Sequence, residues 1–311
     1  MSPALGARDL LGSLAGSDRF PEIELHDLRR APSVDLTLED LHEIATLVRS
    51  ARASGPVGLV VTLGTDTLEE AALALELLGA APVVVTGAMR PPGALGADGP
   101  ANLAAALRVA IDPATADLGA LVVMNDTVHA ARFVRKSHTA NPAAFLSPVA
   151  GPLGDVIEGR LRLRSRVASL TPIEAAPPFP AVPLVAVGFD DDGLLLGALE
   201  GLAPAGLVLQ APGGGHVPAR HVPLVAALAE RIPVVLASRT GAGPVLSSTY
   251  GYPGGEVDLL GRGLIPAGSL DARKARVALR LLLAAGEGRE GVARWFAGVD
   301  GSDGVAALRY D

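Results

Sequence analysis

Two places in the sequence carry side chains suited to acid–base chemistry. One is Gly64-Thr65-Asp66-Thr67, where an apolar run beginning at Pro56 stops at a hydroxyl and a carboxylate side by side. The other is Lys136. Of the 26 basic residues only two, Lys136 and Lys274, are lysines. Arginine keeps its proton in a protein, whereas burial can push a lysine amine to release one. A retained lysine is therefore a candidate for proton chemistry, with chance survival as the bland alternative. Lys274 sits one turn into the helix-like segment DARKARVALRLLLAA and reads as a surface residue. Taken alone, Gly-Thr-Asp-Thr before a helix also serves as plain capping chemistry. Thr67 is then the N-cap and Glu70, three residues on, its capping-box partner.

Other chemistries have less to work with. There is no cysteine, which removes disulfides, thiolate catalysis and cysteine-based metal sites. No GxSxG elbow, HExxH, Walker loop or GxGxxG after a strand is present. The six histidines do not fall at metal-ligand spacing, and His129 and His138 read as surface or hydrogen-bonded side chains. Neither a metal nor an organic cofactor is expected. A formal charge of −7 with no basic run argues against nucleic acid and anionic membranes as partners. No apolar run reaches the roughly 20 residues that span a bilayer, and no charged n-region leads into an apolar h-region at Met1. A soluble, cytoplasmic protein is expected, on the condition that no leader precedes Met1.

The elements that must hold these residues follow from periodicity. The run up to Thr62 has apolar residues on both faces, as a parallel strand buried on both sides does. Residues 68–78 have helical spacing, so Thr65 and Asp66 sit in a turn at the carboxyl end of a strand, where open α/β sheets bind ligands. Residues 9–14 suggest a short helix, 23–28 a strand, and 37–52 a helix with Thr37 as N-cap and Asp40 three residues on. A second apolar run spans 82–86, a helix 98–111 and a third buried strand 120–125. Strand, helix, strand, helix, strand at this spacing predicts a doubly wound, mostly parallel α/β sheet. Residues 156–166 alternate like a solvent-facing hairpin strand.

A length of 311 residues suggests two domains. The N-terminal α/β domain is placed at residues 1–170 and a proline-rich linker at 171–183. A smaller C-terminal α/β domain follows at 184–311. It has strands at 184–188, 206–210 and 234–238, a glycine-rich turn at 213–215 and helices at 218–231 and 270–285.

Several segments together resemble the bacterial L-asparaginase/glutaminase family. They are VVTLGTDTLEE from Val60, VVVTGAMRPPGALGADGPANL from Val83, and LVVMNDTVHAARFVRKSHT from Leu121 with FLSPVAGPLG after it. IPVVLASRTGAG and GLIPAGSLDARKARVALRLLL resemble that family's C-terminal domain. The resemblance implies an amidohydrolase that converts L-asparagine to L-aspartate and ammonia, with weak glutaminase activity, as a homotetramer. It implies Thr65, Asp66 and Lys136 as the catalytic set. Asp66 would also hold the substrate's α-ammonium and Ser33 its α-carboxylate, with Gly64 in the binding turn and the Ala88 carbonyl on the leaving amide. An aspartate beside a lysine strengthens its hold on the proton, so a base role for Lys136 requires desolvation.

Two departures stand out. The family opens with a strand ending in Thr-Gly-Gly-Thr-Ile, whose first threonine is taken as nucleophile, and a tyrosine-bearing lid. Neither is in this sequence. A start placed downstream of that strand is the expected explanation; a relative without normal activity that only binds amino acids, or another nucleophile, are the alternatives. The second departure is His216 in GGGHVP, where the family has an asparagine that reaches the neighbouring subunit's site.

Overall fold

The computed structural model describes residues 6–12, 20, 22–55 and 58–300. The chain forms two compact units, Met1–Pro172 and Ile173–Asp311.

In the first unit α1 (Ala7–Gly12) and α2 (Leu38–Ala53) precede β1 (Val60–Thr62), α3 (Leu68–Leu77), β2 (Val83–Thr86), α4 (Gly99–Ala110) and β3 (Ala120–Met124). The strands β4 (Thr127–Ala130), β5 (Arg135–Lys136), β6 (Phe145–Leu146), β7 (Gly154–Ile157) and β8 (Arg160–Leu163) follow. The main sheet has the order β1-β2-β3-β4-β7-β8, with β5 and β6 pairing separately. β1, β2 and β3 run parallel; the strands added beyond β3 are antiparallel. Thr37 caps α2 as expected: its hydroxyl accepts from the Asp40 N–H while the Asp40 carboxylate accepts from the Thr37 N–H.

Several expectations need correction. Residues 23–28 form no strand, because their alternation is not matched by any buried face. β2 and β3 are buried throughout, but Val60 and Val61 of β1 are only half-buried and Thr62 is exposed. The apolar run was expected to be buried on both sides. Instead β1 is a sheet edge, paired with β2 alone among the described residues, and Pro56 and Val57 lie outside them. The part of the predicted short N-terminal helix beyond Gly12 also lies outside them. The strand predicted to Asn125 ends at Met124, since Asn125 and Asp126 take positive φ (51° and 56°) and turn the chain into β4. The alternating segment at 156–166 is a two-stranded hairpin whose turn, Glu158-Gly159, also has φ above zero at both residues (50° and 70°), the geometry that matches strand twist.

Helix α3 is buried nearly all round, and its two acids Glu69 and Glu76 go inside with it. Burial pushes the Glu76 carboxyl above its ordinary range, against the opposing pull of the Leu170 and Ala120 N–H groups and of Arg132. A folded-state pKa raised in this way means the native protein keeps a proton that the unfolded chain releases. Stability should therefore fall as pH rises from the ordinary glutamate value through the raised one. Glu76→Gln is expected to flatten that slope, as read from denaturation midpoints between pH 4 and pH 8; an unchanged slope would assign it elsewhere.

The second unit has β9 (Leu184–Ala186), α5 (Leu194–Leu202), β10 (Leu207–Ala211), α6 (Val222–Arg231) and β11 (Val234–Ser238). α7 (Glu256–Gly261), β12 (Ile265–Pro266), α8 (Ala272–Ala284) and α9 (Arg289–Gly298) complete it. Its sheet, β12-β11-β10-β9, is parallel throughout. α6 starts later than predicted, after a 3₁₀ turn at Ala219–His221. Lys274 is the clearest error of surface assignment. It is 1% exposed, because Ala278 and Leu281, at i+4 and i+7, place it on the buried stripe of α8.

Candidate active site

The turn after β1 and the short strand β5 bring three side chains together. The Lys136 Nζ donates to Thr65 Oγ1 at 2.9 Å and to Asp66 Oδ1 at 2.7 Å. Thr65 is buried, and the Lys136 side chain is 16% exposed, whereas that of Asp66 is 69% exposed. The cluster thus has a dry side at the hydroxyl and amine and a wet side at the carboxylate. An ammonium has three donors, and the contacts with Thr65 and Asp66 use two of them.

The local structure that holds the turn differs from simple capping. Thr67 is the N-cap of α3, but its hydroxyl makes no bond to the helix N–H groups. It donates instead to the Ser33 carbonyl at 2.7 Å, and the Thr67 N–H points at Ser33 Oγ at 3.4 Å. The predicted capping box with Glu70 is therefore absent, because the long-range partner takes the hydroxyl. Ser33 is buried in a 3₁₀ turn and lies against Gly64, where an added Cβ would come within 3.0 Å of Ser33 Oγ. Ser33 and Gly64 thus belong to one contact with the Thr65–Asp66 turn.

Ala88 leaves the carboxyl end of β2, the strand next to β1, directly after Gly87. The loop is pinned from α4. Asn102 Nδ2 donates to the Gly87 carbonyl and to Asp98, both at 3.0 Å, and the Asp98 carboxylate accepts from the Met89 and Arg90 N–H groups at 2.9 Å. Asn102 Oδ1 also accepts from the Asn125 N–H at 2.9 Å, tying the end of β3 to the same point. Asn102 and Asp98 were not singled out from the sequence, nor was Glu69, whose carboxylate accepts the Lys136 backbone N–H. For Glu69 the usable signal was the near-continuous apolar pattern of α3: a helix buried all round carries its acids inward, where they need partners.

His138 Nδ1 accepts from the Ala140 and Asn141 N–H groups at 3.0 Å, and the buried His129 meets Ser147 Oγ at 2.9 Å. Among the described residues no group of three or more His, Asp or Glu is placed to hold a metal ion. Nor is any helix there long and apolar enough to cross a membrane.

His216 belongs to the second unit. Its Nε2 lies 3.0 Å from Glu256 Oε2 and its Nδ1 3.0 Å from the Tyr252 hydroxyl, with the Tyr250 ring edge-on at 5.1 Å. The Glu256 side chain is fully buried. Burial pushes its carboxyl up, but the N–H groups of Tyr250, Thr249 and Glu256 itself, together with His216, hold it below the ordinary range.

A hydroxyl, a carboxylate and an amine converge at the carboxyl end of a parallel strand, where open α/β enzymes place their ligands. Residues 1–169 match the family description "Asparaginase, N-terminal", and residues 182–296 match "Glutaminase/Asparaginase C-terminal domain". A probable L-asparaginase of Deinococcus radiodurans is 40% identical over 285 residues, covering 88% of this chain and 85% of that protein. An L-asparaginase of Bacillus licheniformis is 33% identical over 85% of this chain and 83% of its own length. A glutaminase-asparaginase of Pseudomonas aeruginosa is 31% identical over 86% and 75% respectively. The chain belongs to the asparaginase family.

Proposed function

We propose that this protein is an L-asparaginase-type amidohydrolase that converts L-asparagine and water to L-aspartate and ammonia, with weaker action on L-glutamine. The observation that carries this is the Lys136 amine bridging Thr65 Oγ1 and Asp66 Oδ1. The Lys136 amine takes the proton of a hydroxyl or water held at Thr65, and the freed oxygen attacks the side-chain amide carbon. The carbon–nitrogen bond then breaks and ammonia leaves with the proton returned to it; where a hydroxyl oxygen is the attacker, water cleaves the resulting ester to L-aspartate and restores the hydroxyl. Asp66, on the wet side of the cluster, suits the substrate's α-ammonium. Ser33 and Gly64, in contact beside that turn, are assigned to the α-carboxylate, and the Ala88 carbonyl, just after the neighbouring strand, to the leaving amide. His216, backed by Glu256 and Tyr252, takes the place of the family asparagine that completes a neighbouring subunit's site in a homotetramer.

Among the described residues β1 pairs with β2 alone, so its other edge could accept a further strand. Ammonia release is the test, with L-asparagine and L-glutamine as substrates. It is run on this chain and on the chain extended by any in-frame residues encoded upstream of Met1. Turnover of asparagine by either is the expected result. Binding of asparagine without ammonia from both would make the protein an amino-acid-binding relative and end the enzymatic assignment.

A further inference from the structure

We infer that Glu69 is a positioning residue for the reaction, setting where the Lys136 amine sits by holding its backbone; this rests on the role proposed above for Lys136. The lysine is carried on β5, a two-residue strand outside the main sheet that pairs with β6 alone among the described residues. In that pair the Ser137 N–H donates to the Ala144 carbonyl at 2.7 Å. Backbone N–H groups alternate in direction along a strand, so the Lys136 N–H faces away from β6 and finds no ladder partner there. Glu69 takes it: the carboxylate, 2% exposed in the first turn of α3, accepts that N–H directly. A charge-assisted bond of this kind is about twice as strong as a neutral one.

The consequence for the site is geometric. Glu69 sits three residues after Asp66 and four after Thr65, on the helix that their turn begins. One short stretch of chain therefore grips Lys136 at both ends, its backbone through Glu69 and its amine through Thr65 and Asp66. Without the backbone grip, the described backbone pairing of β5 is that with β6, and the amine-to-hydroxyl distance is no longer fixed from the backbone side by the helix that follows the hydroxyl. Proton transfer needs that distance within hydrogen-bond reach.

Three variants test this. Glu69→Gln keeps an acceptor oxygen, Glu69→Asp keeps the charge but shortens the reach by one methylene, and Glu69→Ala removes both. Displacement by about 1 Å can cost about 100-fold, so Glu69→Ala and Glu69→Asp should lose about that factor in kcat on L-asparagine with little change in KM. Glu69→Gln should stay within about threefold of the parent, since its carbonyl oxygen accepts the same N–H. Unchanged kcat in Glu69→Asp, or an equal loss in Glu69→Gln and Glu69→Asp, would overturn the inference, and both comparisons stand even where Glu69→Ala fails to fold. The Lys136 amide proton gives a second readout that needs no turnover. In the parent it should resonate well downfield with slow exchange, weaken in Glu69→Gln and lose both features in Glu69→Asp. Absence of turnover in the parent would sink the asparaginase assignment alone. A Lys136 amide indifferent to Glu69→Asp would sink the tether whatever the substrate.

Discussion

Replacing Lys136 with methionine is expected to lower kcat on L-asparagine by about a thousandfold, about 4 kcal/mol of transition-state stabilisation. The melting temperature should fall by only a few degrees. Methionine keeps the length and apolar stem of the side chain, which is largely buried, and removes only the amine that bridges Thr65 and Asp66. Breaking an ion pair is severe when it strands a charge in the interior. The charge left behind is Asp66, whose side chain is 69% exposed and stays hydrated without the lysine, while the buried Thr65 hydroxyl loses one contact, at a cost of about 1 kcal/mol. Activity and stability should thus separate in this variant. Ammonia release beside a thermal melt checks both, and normal turnover would remove Lys136 from the mechanism.

The second large effect is expected at Gly87, where loss of stability and loss of activity should come together. A Cβ there would lie 2.4 Å from the Leu63 carbonyl oxygen, a backbone atom, and 3.3 Å from Thr65 Cγ2. Leu63 cannot retreat freely, because its N–H donates to the Thr86 carbonyl at 2.9 Å across the β1–β2 pair. Gly87→Ala must therefore push the ends of β1 and β2 apart and move the Thr65–Asp66 turn with them. Overpacking of this kind costs about 1–3 kcal/mol. A shift of about 1 Å at the hydroxyl should lower kcat by about 100-fold. Gly93, in the same loop, has open space around its Cβ position, so Gly93→Ala serves as the control and should leave both quantities near the parent values. Chemical denaturation and kcat on both variants decide the matter. A Gly87→Ala protein with parental kcat would show that the strand ends yield without disturbing the site.

Much of this arrangement is legible in the sequence. Apolar runs, their ends and the helical spacing between them report local burial, and they place β2, β3 and α2 with its Thr37–Asp40 capping box close to where they lie. The residue types of the Thr65–Asp66 turn and the rarity of lysine point to the chemistry, and the ordered motifs point to the family.

Tertiary structure alone decided what those residues touch. The Thr67 hydroxyl could serve its own helix or a distant chain, and the choice of Ser33, 34 residues away, depends on how the 3₁₀ turn packs against Gly64. β1 reads like a central strand from its composition, yet edge or centre depends on which neighbours are present, which no window of residues contains. Lys274 looks like a surface residue by type, and the stripe of α8 carries it inside. The contact between Lys136 and Thr65 spans 71 residues. Periodicity describes how one segment meets its surroundings. The meeting of two segments depends on topology and on tethers such as Glu69, which act through backbone groups that every residue type shares.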